Sequence, residues 1–360
     1  MFRPICAVAS ACLTTVLSVF TCADCSAQAD GLSVFEPSLK TLPVPTPTTI
    51  NDYIADRDAA ARLGKALFWD VRLGSDGQSA CATCHHQAGA DPRVVNTMHP
   101  GFNAAFSGSV IPGAKVPSSI FPTMRFANPA NRFSSVLRNI DDVAGSQGVM
   151  REAFLGLNGD LTEGCEEQHE PTFTANGQAF RQVTARNAPS IINAIFYVRQ
   201  FWDGRANAWF NGANPFGPVD TGARVWKLNP KTGVPSQVQI NIDHASLASQ
   251  AVGPVNNDVE MAAHGRGWVD VARKLLSTKA LSTQKVSPSD SILGTYAAPD
   301  FGLTLRYDEM INAAFQPQWR SNVQVSPGVS MTEANMSLFF GMAIQEYEAT
   351  LVSNDSRYDQ

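Results

Sequence analysis

The sequence predicts a mainly α-helical domain with long loops and one small inserted β-hairpin. Three observations carry this expectation. Apolar residues recur at helical spacing in several separate segments, including Leu63, Leu67 and Phe68 within 57–69. Residues 96–135 are rich in Gly, Pro, Ser and Asn and show little periodicity, so they read as a long irregular wrap. ARVWKL and VQINI flank the turn-forming NPKTGVP, which reads as a hairpin within 223–242.

The chain has 360 residues, but its start is not expected to belong to the fold. Arg3, the apolar run from Ile5 to Cys22 and the small-residue ending Ala27-Gln28-Ala29 form a secretory signal peptide, with cleavage after Ala29. The alternative is an uncleaved membrane anchor. No later stretch is long and apolar enough to cross a bilayer, so residues 30–360 are expected to be exported and not membrane-embedded. The net charge of −5 and the lack of a basic cluster argue against nucleic-acid binding. Mild acidity suits a partner with a basic docking face.

Residues 37–50 carry four prolines and read as an extended strap. A helix is expected over 57–69. PSIINAIFY, from Pro189, places its proline where the first turn of a helix tolerates it. Trp268, Val271 and Leu275 mark one further amphipathic helix, and Tyr307, Ile311 and Phe315 another. In the last helix Ser330 and Glu333 form a capping box, and Phe339, Ala343, Tyr347 and Leu351 share one face.

Four of the seven cysteines (Cys6, Cys12, Cys22 and Cys25) leave with the signal peptide, so Cys81, Cys84 and Cys165 remain. Cys81-Ala82-Thr83-Cys84-His85 is a C-x-x-C-H motif. Its two thiols can form thioethers to one haem while the adjacent histidine ligates the iron. The competing readings are a redox disulfide and half of a zinc site. Zinc would need two more ligands, and no partner motif supplies them. Haem attachment also consumes two thiols and leaves Cys165 alone. The domain is therefore expected to be a cytochrome c-like haem domain.

LGKALFWDVRLGSDGQSACATCH around this motif resembles the entry to the first haem in bacterial di-haem cytochrome c peroxidases of the MauG-like family. ARNAPSIINAIFYVRQFWDGRA (185–206), GPVNNDVEM (253–261) and the helix ending AIQEYEATLVSNDS resemble the same family, in the same order. The resemblance implies that Cys81 and Cys84 hold the peroxidatic haem, with His85 as its proximal ligand. It further implies that Trp202 stands between two haems in the electron path and that Glu260 moves protons during O–O cleavage. Asn187 would ligate a calcium ion.

Each of these residues also has a plainer reading. Trp202 could be core, Glu260 a solvated acid and Asn187 a helix cap ahead of Pro189. Arg205 could meet a haem propionate or simply Asp203.

Two departures from the family pattern stand out. FTANGQAFRQVTARN lacks the histidine that many relatives use as a removable distal ligand, which leaves Met98, His99, His169 and His264 as candidates. The second C-x-x-C-H is missing. The expected organisation is a signal peptide (1–29), a peroxidatic haem domain (30–352) and the start of a linker (353–360) to a second haem domain absent from this chain.

The function implied is a periplasmic enzyme reducing hydrogen peroxide with electrons from a small donor protein, a cytochrome c or a cupredoxin. Alternatives are an electron-transfer cytochrome and a MauG-like oxidase of a protein or organic substrate. One covalent haem c is expected here and a second in the full-length protein, with calcium and a homodimer left open.

Overall fold

The computed structural model describes residues 38–108, 110–357 and 359. The signal-peptide segment 1–29 lies outside them. Eight α-helices occur among the described residues. They are α1 (Ile50–Tyr53), α2 (Arg57–Trp69), α3 (Cys81–His85), α4 (Ser246–Ala251), α5 (Trp268–Leu275), α6 (Tyr307–Ala314), α7 (Met331–Ala334) and α8 (Met336–Glu348).

The expectation of a mainly α domain is not met. Among the described residues helix of all kinds takes 28% and strand 17%, and the strands form six separate two-stranded antiparallel sheets. The expected hairpin forms, pairing Val225–Leu228 with Pro235–Val238, so its second strand starts inside the expected turn and takes only Val238 of VQINI. Four other hairpins are made within one stretch of chain (Met124–Phe126 with Val136–Asn139, Glu152–Leu157 with Glu163–Glu167, Thr174–Ala175 with Gln178–Ala179) or near the last helix (Gln324–Ser326 with Val329–Ser330). The sixth sheet joins Met98–His99 to Val143–Ala144. Strands of two to six residues are too short for an alternating pattern to stand out from the turn residues around them.

One large apolar core gathers α2, α4, α5, α6 and α8. α2 begins at Asp56, whose carboxylate accepts from the Ala59 amide and satisfies a free donor of the first turn. α8 lies against α2 closely enough that a methyl group on Gly64 would overlap the Ala343 carbonyl. Glycine at this crossing is therefore a packing requirement. All thirteen residues of α8 are buried, so the single apolar face expected for it is instead a helix enclosed on every side. The capping box forms as expected, with Ser330 Oγ accepting from the Glu333 amide at 3.2 Å. It starts the short α7, and the chain breaks at Asn335 before α8. PSIINAIFY does not form an α-helix. It holds only a short 3-10 turn, Ala194–Phe196, because Asn193 is left-handed at φ 62°.

No helix among the described residues is long and apolar enough to cross a membrane.

Candidate haem site

α3 is a single helical turn and places Cys81 and Cys84 on one side, three residues apart. The two thiols are free and half-buried. Burial pushes both above the usual thiol range. At Cys84 the nearby Arg93 works against that rise, donating from Nη2 to the sulfur at 3.1 Å.

His85 follows at once. Its Nδ1 lies 2.8 Å from the Pro189 carbonyl oxygen, which can only accept, so Nδ1 carries the proton and Nε2 keeps its lone pair. Burial pushes the imidazole below its ordinary pKa, with the Pro189 carbonyl opposing. A low pKa keeps the ring neutral and able to ligate a metal. Two unjoined thiols one turn apart, beside an imidazole oriented with a free Nε2, fit a c-type haem.

The Pro189 carbonyl is held in place by a ladder of hydrogen bonds. Asp91 N donates to Ala188 O at 3.0 Å, and Ala188 N donates to Ser146 Oγ at 2.9 Å. Asn187 Nδ2 donates to the carbonyls of Asp91 and Gly145 at 3.0 and 3.1 Å. The Asn187 Oδ1 is buried and has no hydrogen-bond partner among the described residues. That orphaned oxygen fits a hard cation, whose remaining ligands would have to be backbone carbonyls and water. A cavity of about 650 Å³ opens beside it, lined in part by Arg93, Met98, Lys115 and Phe121.

Glu260 is brought near the site by a close backbone contact. Gly148 lets residues 147–149 run directly against Val259, since a side chain there would overlap the Val259 carbonyl. The same segment bonds Val149 N to Val259 O at 3.1 Å, and its Gln147 carbonyl lies 3.8 Å from the Cys84 sulfur. Asn257 Oδ1 accepts from the amides of Val259 and Glu260 and fixes the turn. Burial raises the Glu260 carboxyl above the usual range, and Arg205 partly offsets the rise. The Glu260 charge also acts on Cys81 and Cys84. Burial thus favours the protonated carboxyl over the carboxylate, and such a group can take up a proton and release it again.

Trp202 stands apart from these groups. It is 81% exposed, thrust outward by a turn in which Phe201 and Gly204 take left-handed φ of 62° and 69°. It is therefore not core in this chain. The Arg186 guanidinium lies over its ring, 4.6 Å from the centroid, which ties the indole to the segment that carries Pro189. Arg205 pairs with Asp203 at 2.9 Å and covers the Phe201 ring at 3.9 Å. Tyr197, Val198, Phe216 and Val219 are exposed in the same stretch as Trp202.

Of the other candidate ligands, Met98 is buried and lines the cavity. His99 Nδ1 accepts from the Gly101 amide at 3.1 Å. His169 is exposed, and His264 pairs with Asp258 at 3.2 Å on the surface.

Sequence reasoning passed over three contributors. Arg93 was visible nine residues after Cys84 as a cation following the motif. Glu348 sat on a helix read only for its apolar face. The Pro189 carbonyl had no signal, because a backbone acceptor leaves no mark on residue type.

A family model for di-haem cytochrome c peroxidases matches residues 58–144 and 155–360. A curated relative, the cytochrome-c peroxidase IdrP1 of Denitromonas iodatirespirans, is 37% identical over 87 residues. That alignment covers 24% of this chain and 22% of the relative. With the family model matching well over half of its length, the chain belongs to the di-haem cytochrome c peroxidase family.

Proposed function

We propose that this chain carries the peroxidatic haem of an exported enzyme that reduces hydrogen peroxide to two waters. The reaction takes up two electrons and two protons, and the electrons come from a small redox protein, a cytochrome c or a cupredoxin. Cys81 and Cys84 fasten one haem c through thioethers, and His85 Nε2 ligates its iron. Bound there, the haem would supply the metal at which peroxide is reduced. The protein's part is proton and electron management. The Pro189 carbonyl holds the imidazole in one tautomer, and Glu260 moves the proton between the peroxide oxygens.

Trp202 is the electron relay toward a second haem. The exposed side chains of Tyr197, Val198, Trp202, Phe216 and Val219 are the face that the unit carrying that haem would cover. Asn187 contributes its orphaned oxygen to a calcium ion beside that junction. The enzyme works in the periplasm after removal of residues 1–29.

The observation that carries this reading is the arrangement of His85, oriented by Pro189, beside two free thiols and a half-buried Glu260. The test is expression with cytochrome maturation machinery. Haem should stay on the denatured chain and be lost from a Cys81→Ala, Cys84→Ala variant. A chain that matures without covalent haem would end the proposal. Peroxide-dependent oxidation of a reduced donor, compared with oxidation of an organic substrate without one, separates peroxidase from oxidase.

A further inference from the structure

Glu348 closes α8 in the core and is 6% exposed. Its Oε2 has no hydrogen-bond partner among the described residues. The neighbouring acid, Glu346, differs, because it meets Arg57 at 2.7 Å. Glu348 lies near the attachment helix, and its charge is the second strongest influence on the Cys81 thiol after burial. The adjoining Tyr347 ring packs on Phe68 at 5.3 Å, and Phe68 lies 6.5 Å from the His85 ring. An unpaired carboxyl is thus enclosed on the side of the core from which α3 and His85 are supported.

We propose that Glu348 exchanges a proton with solvent in step with the redox state of a haem fastened at Cys81. The inference rests on the haem reading above. When the haem gains one electron from the donor, one proton from solvent adds to a Glu348 carboxylate oxygen. When the haem is oxidised, that O–H bond breaks and the proton returns to solvent. No bond to the haem forms or breaks.

The physical reason is the cost of unbalanced charge in a poorly solvated site. Burial alone pushes the Glu348 carboxyl up to about 8, so it is poised to titrate where the extra positive charge of an oxidised haem can tip it. Ionised Glu348 favours the oxidised haem, so the midpoint potential falls as pH rises through the Glu348 transition.

The neighbouring groups leave one competitor. Cys81 ceases to titrate once it is a thioether. Tyr347 is raised above its ordinary range by burial and stays neutral. Glu346 is raised by burial too, but Arg57 opposes that rise. Asp290, which also acts on Tyr347, is paired with Lys65 at 2.8 Å. Glu260 is the competitor, because its charge also reaches Cys81.

The experiment is a spectroelectrochemical titration of the haem-loaded protein on both sides of the Glu348 transition. The wild-type potential should fall through that window. Glu348→Gln should stay at the acid-limb potential throughout, while Glu260→Gln keeps the slope. A flat wild-type profile, or a slope retained in Glu348→Gln, overturns the proposal. Should Glu348→Gln fail to fold, infrared difference spectra of the wild type and Glu260→Gln decide. Reduction must add a protonated-carboxyl C=O band in both, and its absence overturns the proposal. A covalent haem with a flat potential sinks the Glu348 role alone, whereas a chain without covalent haem sinks the haem reading with it.

Discussion

Replacing Glu163 by Gln tests whether the loop that leads into α3 is held by a buried charge cluster. Glu163 Oε1 accepts from Arg266 Nη1 at 2.8 Å and from Lys274 Nζ at 2.7 Å, and the three side chains are 0%, 0% and 4% exposed. The two cations go on to hold the backbone of that loop. Arg266 Nη1 donates to the Leu73 carbonyl at 2.8 Å, and Lys274 Nζ donates to the Gly74 carbonyl at 2.8 Å. Removing the carboxylate charge leaves two buried cations uncompensated, and breaking such a pair costs about 3–5 kcal/mol. The glutamine oxygen still accepts one bond, which places the loss near the lower end, about 3 kcal/mol. That is roughly a hundredfold or more in the folding equilibrium. Urea unfolding of the haem-loaded protein should show a lower midpoint at unchanged slope.

The pH dependence has a definite sign. Burial alone would raise the Glu163 carboxyl, but Arg266 and Lys274 outweigh it and hold it below the usual range. Its stabilisation is therefore complete above the unfolded carboxylate value of about 4.3 and is lost as pH falls through the depressed folded value. Glu163→Gln should flatten the acid limb of the stability profile. A midpoint change worth less than about 1 kcal/mol would refute the reasoning, since an exposed pair costs no more than that.

Other variants probe the remaining links. Gly64→Ala should cost about 1–3 kcal/mol by thermal or urea unfolding, because the added methyl meets the Ala343 backbone, which cannot move aside cheaply. Ser330→Ala should cost about 1 kcal/mol by the same measurement, through loss of the cap at α7. Calcium should raise the melting temperature of the wild type in proportion to the logarithm of its concentration, and Asn187→Ala should abolish that rise. A melting temperature indifferent to calcium in the wild type would remove the cation from the site.

The parts of the molecule legible in the sequence were those that residue type specifies locally. Arg57–Trp69, Trp268–Leu275 and Tyr307–Ala314 are helices because their apolar spacing is regular, and the C-x-x-C-H spacing alone sets two thiols and an imidazole on one turn. What failed depended on distant contacts. Short hairpins between residues 124 and 179 are assembled from turn-rich chain that propensity reads as loop. α8 is enclosed by α2, α4 and α5, which lie far from it in the sequence, so its one regular apolar face gave no sign that its polar positions, Glu346 and Glu348 among them, are buried as well. The site followed the same division. Glu260 stood out only through the motif around it, while the close approach of Gly148 to Val259, beside the segment that meets Cys84, could only be seen in three dimensions.

The central claim is that Glu260 serves peroxide at the haem held by Cys81, Cys84 and His85. Its most direct test is rapid mixing of the haem-loaded chain with hydrogen peroxide, followed by absorbance, for wild type and Glu260→Gln. A single encounter needs no second haem. The wild-type spectrum should change at a rate first order in peroxide, and Glu260→Gln should slow that change by about 10²–10⁴-fold. A haem spectrum unmoved by peroxide, or an equal rate in the variant, would contradict the account.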